Sequence, residues 1–261
     1  MAHGYVYETR PTQTNQNEPR KVFVTGAGGR IGSEFARRMK DRYDLTLMVH
    51  PDKDPGRVEG CGRIVRATLE NRDELTSLFK NHDAVVHLAA NPAPDAGWQS
   101  VLDNNIRGTY HAMAAADAAG CRRLVYASSV HAVAALPFGA QAKTDGPVSP
   151  TSLYGVSKCF GEALGRYFAT RHELSVIAIR IGGFQPVEAA DDPRKQHMQG
   201  GLVSHRDLCH LIACAVENKT LRFAIAHGVS RGQFAYMDPH ETRDLLGYEP
   251  QDDFTPSQDR K

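Results

Sequence analysis

From residue 21 onward, short apolar runs alternate with longer stretches in which apolar residues recur every three or four positions. The runs at 21–25, 45–49, 64–69, 84–90, 124–129, 174–181 and 221–226 read as strands, and the stretches 33–40, 71–80, 98–120, 152–171 and 204–218 as helices. Residues 84–90, Ala-Val-Val-His-Leu-Ala-Ala, are almost continuously apolar, as parallel strands covered on both faces are. The alternation predicts an α/β protein: a Rossmann-like, doubly wound parallel sheet with a small C-terminal substrate-binding part.

Three segments depart from that pattern. Residues 1–20 are polar, carry Pro11 and Pro19, and have no period that could bury a face, so a flexible arm is expected there. Residues 188–201 are polar without periodicity and read as a loop covering the substrate. The tail beyond Gly247 reads as an edge or arm. The expected division is an arm at 1–20, a nucleotide-binding domain at 21–183 that carries the catalytic residues, and a substrate-binding part at 184–261 packed on the same domain.

Charge narrows the ligand class. The 261 residues carry a net charge of +1 with acids and bases interspersed, which speaks against a nucleic-acid footprint or a membrane-surface stripe and for a small molecule. Five cysteines without a Cys-x-x-Cys pair fit free thiols in a reducing, cytoplasmic setting. His205, Cys209 and His210 share one helix but supply fewer than three ligands facing one way, so no metal is expected.

The first strand runs into Gly26-Ala27-Gly28-Gly29-Arg30-Ile31-Gly32 and then into a helix. Strand, glycine turn and helix in that order make a phosphate site: Gly26 permits the turn, Gly29 lets backbone approach a pyrophosphate, and Gly32 lets the helix pack closely. The second strand ends at His50, where an acid would hold the ribose hydroxyls of NAD; with Arg30 and Lys53 nearby, NADP becomes an equal option.

A helical period puts Tyr154 and Lys158 one turn apart on one face, where a cation could favour the phenolate and make the tyrosine an acid/base. Ser128 and Ser129 close the fifth strand at its carboxyl end, where open α/β sheets bind ligands, and His131 follows. Within the helix at 98–120, Asn105 is a candidate for a kink-forming polar group that orders water near Lys158.

Together, the glycine turn, Ser128-Ser129, Tyr154-x-x-x-Lys158 and the run to Glu162 with Arg180-Ile181-Gly182 resemble the extended short-chain dehydrogenase/reductase superfamily, and within it the uronate dehydrogenases. The resemblance implies NAD- or NADP-dependent oxidation of a sugar or sugar acid at the anomeric carbon, giving a lactone, in a homo-oligomer. It makes Tyr154 the base, Lys158 the holder of the nicotinamide ribose, and Ser129 the partner of the reacting oxygen. Gly26, Gly29, Arg30, Ile31, His50, Thr68, Leu69, Leu88, Ala89, Ala90 and Asn105 fall on the cofactor side, His131 and Arg194 on the substrate side. Val130, Gly183 and Pro92 stand where uronate dehydrogenases have Asn, Ser and Ser; His50 and Thr68 stand where they have Asp. The alternatives are a nucleotide-sugar epimerase or other carbonyl reductase of the same superfamily, and a non-catalytic nucleotide sensor.

Overall fold

A computed structural model describes residues 6–7, 19–137, 140–192, 200–232 and 236–257. In chain order the elements are β1 (Val6–Tyr7), β2 (Lys21–Thr25), α1 (Arg30–Met39), β3 (Asp44–Val49), β4 (Arg63–Arg66), α2 (Arg72–Phe79), β5 (Ala84–His87) and α3 (Trp98–Ser100). A π-helical stretch (Val101–Arg107) then leads into α4 (Gly108–Ala118), β6 (Arg123–Ser129), α5 (Leu153–Arg171), β7 (Ser175–Ile181), β8 (Gly183–Gln185), β9 (Leu202–Ser204), α6 (His205–Glu217), β10 (Leu221–Gly228) and α7 (His240–Leu246).

The main sheet runs β1-β10-β7-β6-β5-β2-β3-β4, parallel throughout except for β1, which pairs antiparallel with β10. The chain winds outward from β2 through β3 to β4, then returns to lay β5 on the other side of β2. That reversal opens a crevice at the carboxyl ends of β2 and β5, the place where such sheets take ligands. Successive strand residues serve opposite faces. Val22, Val24, Leu45, Leu47, Val86 and Ile177 pack with α1 and α6, while Phe23, Val85, Leu124, Val176 and Ala178 pack with α2, α4 and α5. All seven residues of β6 and of β7 are buried, so these two strands anchor the layer from which the catalytic candidates emerge.

Side-chain caps fix where several helices begin. Asn71 accepts from the backbone of Asp73 and Glu74, Ser152 from Gly155, and Ser204 from Asp207. Among the described residues no helix is long and apolar enough to cross a membrane, and no cluster of three metal-ligating side chains occurs.

The structure corrects four expectations. The arm is not wholly loose, since Val6–Tyr7 adds an edge strand to β10. The segment taken as a polar loop from 188 opens with a 3₁₀ turn, Val187–Asp191, whose Ala189 and Ala190 are buried with Leu202 and Phe254. The tail is core rather than arm: Gly247 caps α7 in the left-handed region, Tyr248 is fully buried with its hydroxyl on the Val229 carbonyl, and Phe254 is fully buried. A hydropathy window misses this because Tyr248 and Phe254 are isolated aromatics among polar neighbours. Finally, the helix expected at 98–120 is interrupted by π geometry around Asn105.

Candidate active site

At the cofactor end the work is done by backbone. Gly26 sits at φ 68°, and a Cβ there would lie 2.7 Å from the Ala89 nitrogen, so only glycine lets β2 turn beneath the exit of β5. Gly32 is equally constrained: a Cβ would fall 2.4 Å from the Gly26 carbonyl oxygen, where α1 rests on the turn itself. α1 begins without a side-chain cap and without an acid in its first turn. Its N–H groups are therefore free for an anion, and the turn suits the pyrophosphate of a dinucleotide.

A buried polar seam holds that end together. The Thr25 hydroxyl accepts from the Leu88 and Ala89 amides at 3.2 and 3.3 Å and lies 2.8 Å from His87 Nδ1. Having accepted twice, it gives its proton to Nδ1, which leaves the His87 proton on Nε2, facing the Thr109 hydroxyl at 3.4 Å. Burial holds His87 neutral by pushing its pKa down to about 3. Leu88, Ala89 and Ala90 follow as half-buried residues lining the exit of β5.

The adenosine-side candidates are placed as follows. Arg30 donates to the Phe184 carbonyl at 2.9 Å, so its guanidinium leans toward β8. Together with Arg37, Arg57 and His205 it lines an open groove of about 470 Å³. His50 is exposed, and its Nδ1 accepts from the Asp52 amide at 3.2 Å. Arg66, not singled out in the sequence, braces this loop by donating to the carbonyls of Pro51 and Lys53 at 2.7 and 3.2 Å. Thr68 accepts from the Glu70 amide, and Leu69 packs against Gly108 while its carbonyl accepts from His111.

At the catalytic end the work passes to side chains. Ser129 closes β6, accepts from the His131 amide at 3.2 Å and hydrogen-bonds the Tyr154 phenol. Tyr154 lies in the first turn of α5, placed by the Ser152 cap. The turn abuts the loop beyond β6 so closely that a Cβ on Gly155 would come within 2.4 Å of the His131 carbonyl oxygen. The His131 ring stands edge-on to Tyr154 with centroids 5.5 Å apart; its Nδ1 is buried without a partner, and burial lowers its pKa. Lys158 donates to the Ala127 carbonyl at 2.8 Å, with its ammonium 5.4 Å from the centre of the Tyr154 ring and 5.1 Å from that of Tyr126.

The electrostatics differ from the simple expectation that Lys158 lowers the Tyr154 pKa. Burial is the larger effect and raises Tyr154, with the Ser129 hydrogen bond pulling the other way, while burial takes Lys158 down to about 8. Asn105 also differs from its expected role. Its amide donates to the Asn91 carbonyl at 3.0 Å and the Ser157 hydroxyl at 3.1 Å, and its oxygen accepts from the Asn91 amide at 2.8 Å. Both amide hydrogens are thus used to clamp the β5 exit to α5 rather than to order water. Ser157 in turn donates to the Tyr154 carbonyl at 2.6 Å. Asn91 and Ser157 were missed in the sequence, although Ser157 lies beside Lys158 and Asn91 directly follows β5 and Ala90. Arg194 lies outside the described residues.

Comparison with known proteins agrees with this arrangement. Residues 22–185 match the model of the NAD dependent epimerase/dehydratase family. An NAD-dependent glucose-6-phosphate dehydrogenase of Haloferax volcanii is 34% identical over 249 residues, covering 88% of this chain and 93% of that protein. An L-arabinose 1-dehydrogenase (NAD(P)(+)) of the same organism is 36% identical over 254 residues, covering 89% and 96%. The crystal structure of uronate dehydrogenase from Agrobacterium tumefaciens superposes with a TM-score of 0.81 at 28% identity, covering 90% of this chain and 85% of that one. With its glycine turn, its sheet reversal and its Ser129, Tyr154 and Lys158 gathered at one edge, the chain belongs to the NAD-dependent epimerase/dehydratase family of the extended short-chain dehydrogenases/reductases.

Proposed function

We propose that the protein oxidises a sugar or sugar acid at its anomeric carbon to the lactone, using NAD or NADP. The observation that carries this reading is the Ser129–Tyr154 hydrogen bond at the carboxyl edge of the sheet with Lys158 one helical turn behind. The sugar dehydrogenases among its relatives support it. The bound nicotinamide supplies the hydride acceptor. Everything else falls to this chain. Ser129 hydrogen-bonds the substrate hydroxyl, and Tyr154 removes its proton as the carbonyl forms. Lys158, as an ammonium, holds the cofactor's ribose and favours the phenolate when Tyr154 ionises. The first-turn amides of α1 with Gly26, Gly29, Arg30 and Ile31 hold the pyrophosphate, and Leu88, Ala89 and Ala90 flank the nicotinamide side.

The substrate pocket opens beside His131. Val130 packs against the apolar cluster of Val133, Ala142, Val229 and Met237, so it offers no polar group at its position. With fewer polar contacts than a uronate site, the pocket suits aldoses as well as uronates, and Arg194 is the residue to test for carboxylate binding. The part from 184 onward completes the substrate side, and the enzyme acts as a cytoplasmic homo-oligomer. The test is a panel of uronates, aldoses and aldose phosphates, each with NAD and NADP, followed by cofactor absorbance. Turnover of at least one free sugar, with lactone as product, is the expected result. Activity only on nucleotide sugars, with no net change in cofactor absorbance, would replace this reading by epimerisation.

A further inference from the structure

Glu162 lies one turn beyond Lys158, so Tyr154, Lys158 and Glu162 occupy one face of α5 at steps of four. Glu162 is buried and pairs with the equally buried Arg180 of β7 through two bonds of 2.9 Å, one to each carboxylate oxygen. The same carboxylate accepts from the Ser128 hydroxyl at 2.6 Å. The remaining arm of Arg180 donates to the Lys143 carbonyl at 3.1 Å, and Lys143 reaches out to Asp238 at 2.6 Å. Four segments therefore meet at one ion pair: the end of β6 next to Ser129, the catalytic face of α5, the end of β7, and the 140s loop that leads back to α5. Tyr126 fills the space between this pair and Lys158, and it fits only because position 161 is glycine, where a Cβ would lie 2.2 Å from the Tyr126 hydroxyl.

A buried ion pair is a weak source of stability compared with apolar residues of the same volume, but it is demanding in geometry. We propose that Ser128, Glu162 and Arg180 form a positioning device that sets the Ser129 hydroxyl against the Tyr154 phenol. None of the three touches the reacting atoms; each acts through the backbone of its neighbours. The inference deepens the dehydrogenase reading, which gives the Ser129–Tyr154 contact its purpose.

Three variants test it: Ser128→Ala, which removes one hydrogen bond and leaves the ions paired; Ser128→Thr, which restores the hydroxyl; and the charge-neutral double change Glu162→Gln with Arg180→Met. Four readouts are taken: NADH affinity by fluorescence, melting temperature, kcat with the best sugar, and the Tyr154 titration seen by ultraviolet absorbance as a difference against Tyr154→Phe. Positioning predicts that Ser128→Ala lowers kcat about 5- to 10-fold and the double variant more. The Tyr154 titration should move to higher pH as its Ser129 hydrogen bond weakens, and Ser128→Thr should recover both, with NADH affinity unchanged within about twofold. A fall in melting temperature with the Tyr154 titration and kcat unmoved would overturn the proposal, because the node would then be only structural. If the titration moves but the wild type oxidises no sugar, the positioning role stands and the dehydrogenase reading fails. Should the double variant not fold, Ser128→Ala and Ser128→Thr decide the matter alone.

Discussion

The two ends of the ligand edge are built on opposite principles. Around Gly26 and Gly32 the site consists of backbone, open amides and the absence of side chains. Around Ser129, Tyr154 and Lys158 it consists of buried side chains, each held by further polar groups: Ala127, Asn105, Ser157, Glu162 and Arg180. The first end should fail when atoms are added and the second when atoms are removed. The difference also predicts what fails: affinity for the cofactor at the first end, rate at the second.

The largest effect is expected from Tyr154→Phe. It should lower kcat by roughly 10²–10⁴-fold, because no proton acceptor remains, while NADH affinity stays near wild type. Since burial raises the phenol, the wild-type rate of sugar oxidation should climb toward alkaline pH, where the base is ionised, and the variant should lose that limb. Equal losses in rate and cofactor affinity would mean that the two ends are one unit.

Lys158→Met should reveal the energetic cost of the catalytic end. Lys158 is lowered from 10.5 to about 8 by complete burial, so between those values the unfolded chain binds more protons and wild-type stability rises with pH. Removing the buried charge should therefore stabilise the protein below about pH 8, by at most about 3 kcal/mol on the scale of 1.36 kcal/mol per pKa unit, with the gap closing toward pH 10.5. Denaturant titrations at several pH values check this, and a variant less stable than wild type at neutral pH contradicts it.

Gly26→Ala should do the reverse of Tyr154→Phe. The added methyl meets the Ala89 backbone, and the left-handed conformation adds strain of about 1–3 kcal/mol. NADH affinity should drop at least tenfold, and the rate at saturating cofactor should change less. The smallest effect belongs to His50→Asp. An acid at the end of β3 accepts from the ribose hydroxyls and repels a 2′-phosphate, which should shift the NAD/NADP ratio of kcat/KM toward NAD by about tenfold, or ~1.4 kcal/mol. No shift would assign cofactor choice to the groove lined by Arg30 and Arg57.

The backbone end was the more legible in the sequence, because glycine spacing records geometry directly: Gly26 and Gly32 sit where the spacing put them, for the expected reasons. Tyr154 and Lys158 were legible through helical spacing, and Glu162 lies on the same face at the next step of four. Its partner Arg180 was out of reach of any local pattern, because the two residues are 18 positions apart and meet only when α5 packs on β7. The direction of the Tyr154 shift depends on how completely the fold buries the phenol, which spacing does not encode. Tyr248 and Phe254 escaped for the same reason, as single aromatics whose burial depends on distant elements.

The π-helical stretch at Val101–Arg107 has a consequence for the rod in which it lies. Each residue of an α-helix advances the side-chain direction by about 100°, so one additional residue accommodated in a wide turn rotates everything after it by that amount. The segment from Trp98 to Ala118 therefore changes phase partway along. Asn105 points into the protein toward Asn91 and Ser157, and beyond it Thr109, Ala112, Met113 and Ala116 still meet the sheet. Deleting one residue between 101 and 104 would let the rod relax into a uniform helix. It would then have to choose between keeping the asparagine clamp in register and keeping the apolar seam in register.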